Sequence, residues 1–353
     1  MGALAAAAEP LGTLCEASAA RFVACPKDPA AGTGDQPCLL VADNEISDRL
    51  FLYRRRADGT FGSERAIPLV LEDGSTQGAQ VGDIEALEVA DGVVWAVGSH
   101  GRRKWSGERH PGDAKQCGVV ANRLAIFRGA WQPDTPMGEI RGTRIKTRKK
   151  QWHELLGPAC ESRAFRLAAG DAKGRALAAA ACRVFDLHQR RATQDRDACE
   201  SAFQIEGAAL LPSSDGGRRL WLGVRSPPVQ GKAVLLRLEQ GERLAFDGIA
   251  LLDLGAERGV RELEYADGRL WIIAGPAGDS QGTGFDLVAT RAGSIESGAI
   301  VAAMEPIARL PARSEALAVS ANGETILVVT DGKAPEHAGG SCKIASEIFD
   351  VAR

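Results

Sequence analysis

Five glutamates in this chain each open a short apolar run: Glu16 in EASAARFV, Glu85 in IEALEV, Glu206 in IEGAAL, Glu262 in RELEY and Glu315 in SEALAV. Other polar residues close the apolar run that follows: Asp43, Asn44 and Glu45 in VADNE, Ser99 and His100 in GSHG, Arg225 in VRSP and Asp331 in TDG. If one fold gathers these groups at a common rim, several carboxylates stand within a few ångströms. They cannot all stay ionised unless a cation or a guanidinium compensates. Oxygen-only donors favour calcium or magnesium over zinc, so Ca2+ is the expected cofactor, held by Glu16, Glu85, Glu206, Glu262, Glu315 and Asp331. A bound cation polarises a carbonyl or phosphoryl oxygen, or activates water. His100 is then the candidate general acid or base, and Arg225 the candidate clamp for an anionic group. A competing role is structural: a glutamate repeated at one place accepts hydrogen bonds from the backbone of the neighbouring repeat. His100 in its glycine-flanked turn, and Arg225 beside a repeat glutamate, have structural readings too.

The elements that must position these groups recur. Each glutamate leads into an apolar run, a turn and a second apolar run: CLLVAD, VVWAVG, RLWLGV, RLWIIAG and TILVVTD. The turns VADG, SSDGG, YADG and SANG carry the Asp-Gly or Asn-Gly signature of hairpins. A third strand follows in each unit: RLFLYRRR, NRLAIFRG, AVLLRLEQ, FDLVATRA and SEIFDVAR. A fourth follows in four of them: ERAIPLVL, RGTRIKT, FDGIALLDL and AIVAAMEPIARL. The last unit lacks its own fourth strand, and the N-terminal GALAAAAEP is expected to supply it and close a ring. Tandem four-stranded antiparallel units read as propeller blades.

Spacing sets the blade count. The glutamates lie 69, 121, 56 and 53 residues apart, against about 40–60 for a four-stranded blade. The long gap is rich in helix formers, which predicts two helices, near 151–169 and 174–193. The fold class is therefore all-β: one five-bladed β-propeller over 1–353, with a helical insertion, 151–200, between blades two and three. A hairpin of AFRLAAG and RALAAAACRVF would instead make six blades.

Several phrases together resemble an uncharacterised bacterial family of exported β-propellers: VADNEISDRLFLYRR, DIEALEVADGVVWAVGSHG, QIEGAALLPSSDGGRRLWLGVRSPPVQGKAVLLRLE and RGVRELEYADGRLWIIAGPAG. The glutamate-glycine phrase also resembles the esterase-like propeller domain found beside phytases. More distantly it is similar to gluconolactonase-type propellers, which implies that Glu206 binds a divalent cation. Only Glu206 is followed by glycine; Glu16, Glu85 and Glu315 precede alanine and Glu262 precedes leucine.

Composition narrows the function. The net charge of −3 leaves no global field toward nucleic acid or an anionic membrane. No run approaches the ~20 apolar residues of a membrane helix. The basic run RGTRIKTRKK at 141–150 lacks interleaved aromatics and reads as a solvated outer strand. Eight cysteines without a C-x-x-C pair fit disulfides in an oxidising compartment, so the protein is expected to be periplasmic or secreted. Cys25–Cys38 and Cys182–Cys199 are the expected local pairs, since each closes a short loop. GDSQG at 278–282 leads into a strand, not a helix, and is no nucleophile elbow. HELLG at 153 lacks the second histidine of a zincin. The long charged loop from Gly101 to Gly118 carries Trp105; with Asp43 and Asn44 it is a candidate binding element. Two functions remain: a metal-assisted hydrolase of an anionic or ester substrate at the axial rim, or a non-catalytic propeller that binds a protein or glycan. Either would act as a monomer on a small-molecule or protein ligand.

Overall fold

The computed structural model describes residues 4–11, 14–26, 37–56, 58–76, 78–104, 117–132, 138–146, 172–195, 198–199, 201–239, 245–278, 284–333, 342 and 346–351. Sheet I comprises Ala17–Val23, Cys38–Asp43, Arg49–Arg55 and Phe61–Leu71, in that order from the inside outward. Sheet II comprises Ile84–Ala90, Val93–Gly98, Ala125–Gln132 and Glu139–Lys146. Sheet III comprises Gln204–Pro212, Arg218–Val229, Lys232–Leu238 and Phe246–Leu252, and sheet IV Arg258–Ala266, Arg269–Pro276, Phe285–Arg291 and Glu305–Leu310. Sheet V runs Ser314–Val319, Ile326–Thr330, Glu347–Val351 and then Leu4–Pro10. The strand order matches the hairpin reading, and neighbours within each four-stranded unit pair antiparallel. The outer strands of sheets I and II also meet, through a short parallel pairing of Leu69–Leu71 with Ile140–Gly142.

The sheets are radial. The innermost strands pack I on II, II on III, III on IV, IV on V and V back on I. A separate apolar core fills each gap between consecutive sheets. Strands such as Cys38–Asp43 and Ser314–Val319 are therefore buried along their whole length, and their sequences are apolar on both faces rather than alternating. The arrangement is β-propeller-like. Its seam is closed as the sequence implied: Leu4–Pro10 pairs antiparallel with Glu347–Val351. The Cys15–Cys342 disulfide, spanning 327 residues of sequence, staples the same seam.

Glycine answers one tight approach here. A Cβ on Gly207 would lie 2.9 Å from the Leu263 side chain and 3.0 Å from the Leu263 nitrogen, so the innermost strand of sheet IV could not pack as closely on that of sheet III.

Three expectations are met or corrected. Helix α1, Ala172–Gln194, forms as the second of the two expected helices, near 174–193, and takes the second strand of the hairpin that the six-bladed reading drew; that hairpin's first strand lies outside the described residues. Its alanine, leucine, arginine and glutamine favour helix; Leu177, Ala178, Ala181 and Phe185 are buried in the core between sheets II and III, and Ala192 packs with Cys117, Cys199 and Ala202. The helix expected near 151–169 lies outside the described residues. Secondly, AIVAAMEPIARL is not one strand. Ile300–Val301 pairs in parallel with sheet III, and Glu305–Leu310 alone completes sheet IV. Thirdly, Cys199 bonds Cys117 and not Cys182. Cys182 faces the core between sheets II and III, whereas Cys199 packs with Cys117, Ala192 and Ala202 in a separate small core. Cys182 is itself in a disulfide. Cys25–Cys38 forms as expected.

Candidate functional site

Each innermost strand slips by one residue against its neighbour at the same point. The extra residue is Ser18 in sheet I, Glu85 in II, Glu206 in III, Arg261 in IV and Glu315 in V. A β-bulge leaves its extra residue unpaired and re-aims the side chain. Four of these side chains converge. Carboxylate oxygens of Glu85, Glu206 and Glu315 lie within 4.8 Å of one another. Arg261 bridges two of them: its Nε is 3.0 Å from Glu206 Oε2, and an Nη donates to Glu315 Oε1. Ser18 ties the ring from the side, its hydroxyl donating to the Ile84 carbonyl. Arg225 adds a second guanidinium, with Nη1 2.8 Å from Glu206 Oε1 and 3.1 Å from Gln204 Oε1.

Just outside this ring, a backbone bond closes the mouth of four sheets. Asn44, Ser99, Ala277 and Asp331 donate N–H to the carbonyls of Glu16, Asp83, Glu257 and Arg313. Glu16 is thus the counterpart of Asp83 and Arg313, two residues before the bulge, and not of Glu85. Asp331 stands opposite Arg313 and feels both Glu315 and Glu16.

The electrostatics are those of crowded carboxylates. Burial, then Asp83, Glu206 and Glu315, raise the Glu85 pKa well above the usual carboxylate range. Burial raises Glu206, and Arg225 and Arg261 oppose it. Burial, with Glu315 and Glu16, pushes Asp331 up to about 8. Arg225 and Arg261 compensate part of the cluster's charge, and burial favours the protonated form of Glu85 and Glu206.

A second layer plugs the axis. Arg21 is 2% exposed, and its guanidinium donates to the carbonyls of Ala20 at 2.6 Å, Ala208 at 2.8 Å, Leu317 at 3.1 Å and Leu263. Each carbonyl lies two residues beyond the bulge of its own strand, so one side chain satisfies inner edges of sheets I, III, IV and V. Glu262 Oε1 is 3.2 Å from Arg21 Nη2 and also accepts the Leu263 N–H. Burial pushes Glu262 up to about 8. Glu88 and Glu264 accept the N–H groups of Leu210 and Val319, 2.9 and 2.8 Å away. These three glutamates and Arg21 perform the inter-repeat locking that the sequence left open for the whole set.

The predicted residues thus divide. Glu85, Glu206 and Glu315 meet, with Arg225 touching Glu206. Glu262 departs from the expected ring, because the bulge of sheet IV falls on Arg261, one residue earlier. Asp43 is buried and holds its own turn, accepting the N–H groups of Glu16 and Glu45 at 3.2 and 3.0 Å. Asn44 stands at the mouth, bonded to Glu16. His100 is fully buried at φ 55°, with Nδ1 2.6 Å from the Gly98 carbonyl, and burial lowers its pKa to about 4. Trp105 lies outside the described residues, as does HELLG. Arg261 and Arg21 were missed. Val260–Arg261 aligns with Ile84–Glu85 and Ile205–Glu206, and Leu263 with Leu87 and Leu317; that register would have found Arg261. Arg21, the one charge inside ASAARFV, was a visible anomaly.

The family model described as "Protein of unknown function (DUF3616)" matches residues 30–347. The chain belongs to the DUF3616 family. The resemblance to an uncharacterised family stands in that respect. No curated protein matches the sequence. Among solved structures, a β-1,3-galactosidase of family GH43 bound to galactodeoxynojirimycin is similar at 10% identity and a TM-score of 0.43, over 96% of this chain and 93% of that one. An exo-β-1,3-galactanase from Phanerochaete chrysosporium with galactose gives 10% identity and 0.44, over 99% of this chain and 64% of its own. The WD40 repeats of RRP9 give 9% identity and 0.40, over 100% and 99%.

Proposed function

We propose that this chain is an exported five-bladed β-propeller whose axial entrance binds a divalent cation, calcium foremost, and uses it to hydrolyse an anionic or ester substrate. The closed ring of innermost strands supports the blade count. The three disulfides among the described residues support an oxidising compartment. One observation carries the cation: the bulges of sheets II, III and V bring Glu85, Glu206 and Glu315 oxygens within 4.8 Å of one another. Arg261 and Arg225 compensate part of this charge, while Asp331 and Glu16 add to it. A divalent ion stabilises the ionised form of every acid that burial now pushes toward protonation. Each carboxylate keeps lone pairs beyond those bound by arginine, as an oxygen-liganded ion requires.

A cation held by Glu85, Glu206 and Glu315 would supply Lewis-acid polarisation of the substrate oxygen or of a water; Arg225 grips an anionic group, and Asp331 at the mouth is the acid–base group. His100 is buried and neutral, so it holds its turn. That burial also favours the second reading, a propeller that binds its ligand without turnover. Calorimetric titration of calcium into chelator-treated protein, with a screen of nitrophenyl esters and phosphoesters, separates the two. The proposal expects one calcium site and turnover, both lost in Glu206→Gln. Calcium binding without turnover selects the binding reading. No calcium uptake at millimolar concentration ends the proposal.

A further inference from the structure

We propose that the cleft between sheets II and III is a second binding site, for an amphipathic carboxylate: a small acid with one carboxylate head and an apolar body. The cleft holds about 700 Å³, within the range of small-molecule sites. Its sheet II wall is one cross-strand row, Trp95 opposite Arg128 opposite Thr143. Its sheet III wall is aliphatic, with Leu210 opposite Leu220 and Leu238 beyond.

The recognition element is Arg128. Its Cζ sits 4.9 Å from the centre of the Trp95 ring, and its side chain is exposed. Among the described residues no carboxylate pairs with it. A guanidinium stacked on an aromatic face keeps its in-plane N–H edge available, and that edge matches a carboxylate bidentately. Arg218 adds a second guanidinium at the mouth, paired with Asp91 at 3.4 Å. Glu239 also lines the cleft. Arg144 borders the cleft, but its guanidinium reaches the Gly78 carbonyl at 3.1 Å. Three arginines, Arg128, Arg144 and Arg218, against Glu239 and the Asp91 that pairs with Arg218 leave an excess of one positive charge, which suits a monoanion. The leucines and the Trp95 face suit a straight or aromatic hydrocarbon body.

Octanoate is the probe, titrated calorimetrically into the full chain. The expected result is saturable one-to-one binding, about fourfold weaker for each methylene removed toward hexanoate. Arg128→Ala, checked for an unchanged melting temperature, weakens binding at least about tenfold; octanol binds no better than that variant binds octanoate. Glu206→Gln leaves octanoate binding unchanged, because the cleft shares no residue with the axial carboxylates, and either site can fail without the other. Absence of saturable binding below about 10 mM, equal binding in Arg128→Ala, equal binding of octanol, or loss in Glu206→Gln would each overturn the proposal.

Discussion

Arg21→Met is the most informative single change to the scaffold. Methionine keeps most of the volume and removes the donors and the charge. Four backbone carbonyls lose their guanidinium partner: Ala20, Ala208, Leu263 and Leu317. Each belongs to an innermost strand, at an edge that no further strand pairs. A buried acceptor left without its donor costs about 1–3 kcal/mol. Protonated Glu262 can turn a hydrogen toward one of the four, so three orphaned acceptors remain and the expected loss is about 3–9 kcal/mol. That is a large share of the roughly 5–15 kcal/mol typical of a folded domain. At about 2.1 cal/mol/K of unfolding entropy per residue, 353 residues shift by about 1.3 °C per kcal/mol. Differential scanning calorimetry should therefore find the variant melting about 4–12 °C below the parent. Arg21→Lys, which keeps the charge but fewer donors, should fall between them. A variant melting within 1 °C of the parent would refute the view that one guanidinium ties the inner edges together.

The pH dependence of stability has a definite sign. Glu262 and Asp331 are pushed up to about 8 in the folded chain, above their unfolded values near 4. Their contribution is full below pH 4 and is lost as pH rises through 8. In chelator the melting temperature should fall between pH 6 and pH 9, and calcium should flatten the Asp331 part of that slope; a rise over the same interval would contradict the assignment. Replacing Cys15 and Cys342 by serine removes a staple spanning 327 residues; denaturant unfolding should show a loss of up to about 5 kcal/mol. Gly259→Ala places a Cβ 1.9 Å from the Arg225 carbonyl oxygen, so it should cost about 1–3 kcal/mol of stability and weaken calcium binding by displacing Arg225 from Glu206.

The repeat was legible because each hairpin is local: an apolar run, an Asp-Gly or Asn-Gly turn, and a second run. Closure by Leu4–Pro10 was legible too, since the last unit lacked a strand and the N-terminus carried a spare one. The register at the axis was not. The expected anchors were all glutamates, but the bulge selects a position, and that position is Ser18 in sheet I and Arg261 in sheet IV. A one-residue slip exchanges a rim residue for a plug residue, which moved Glu262 from a carboxylate ring to a partner of Arg21. Long-range pairing was equally hidden. Cys199 meets Cys117 because α1 and the ribbon of Arg102–Lys104 with Cys117–Val119 fold together, with Arg102 Nε 2.5 Å from Gln189 Oε1. The strand signals around residues 102 and 119 were too short to announce that contact.

The central claim is that the recurrent bulge builds a cation site. Crystals grown with calcium and measured for anomalous scattering test it directly. The account predicts one strong peak about 2.4 Å from oxygens of Glu85, Glu206 and Glu315. A clean map there at saturating calcium, with Arg261 still bridging Glu206 and Glu315, would contradict it.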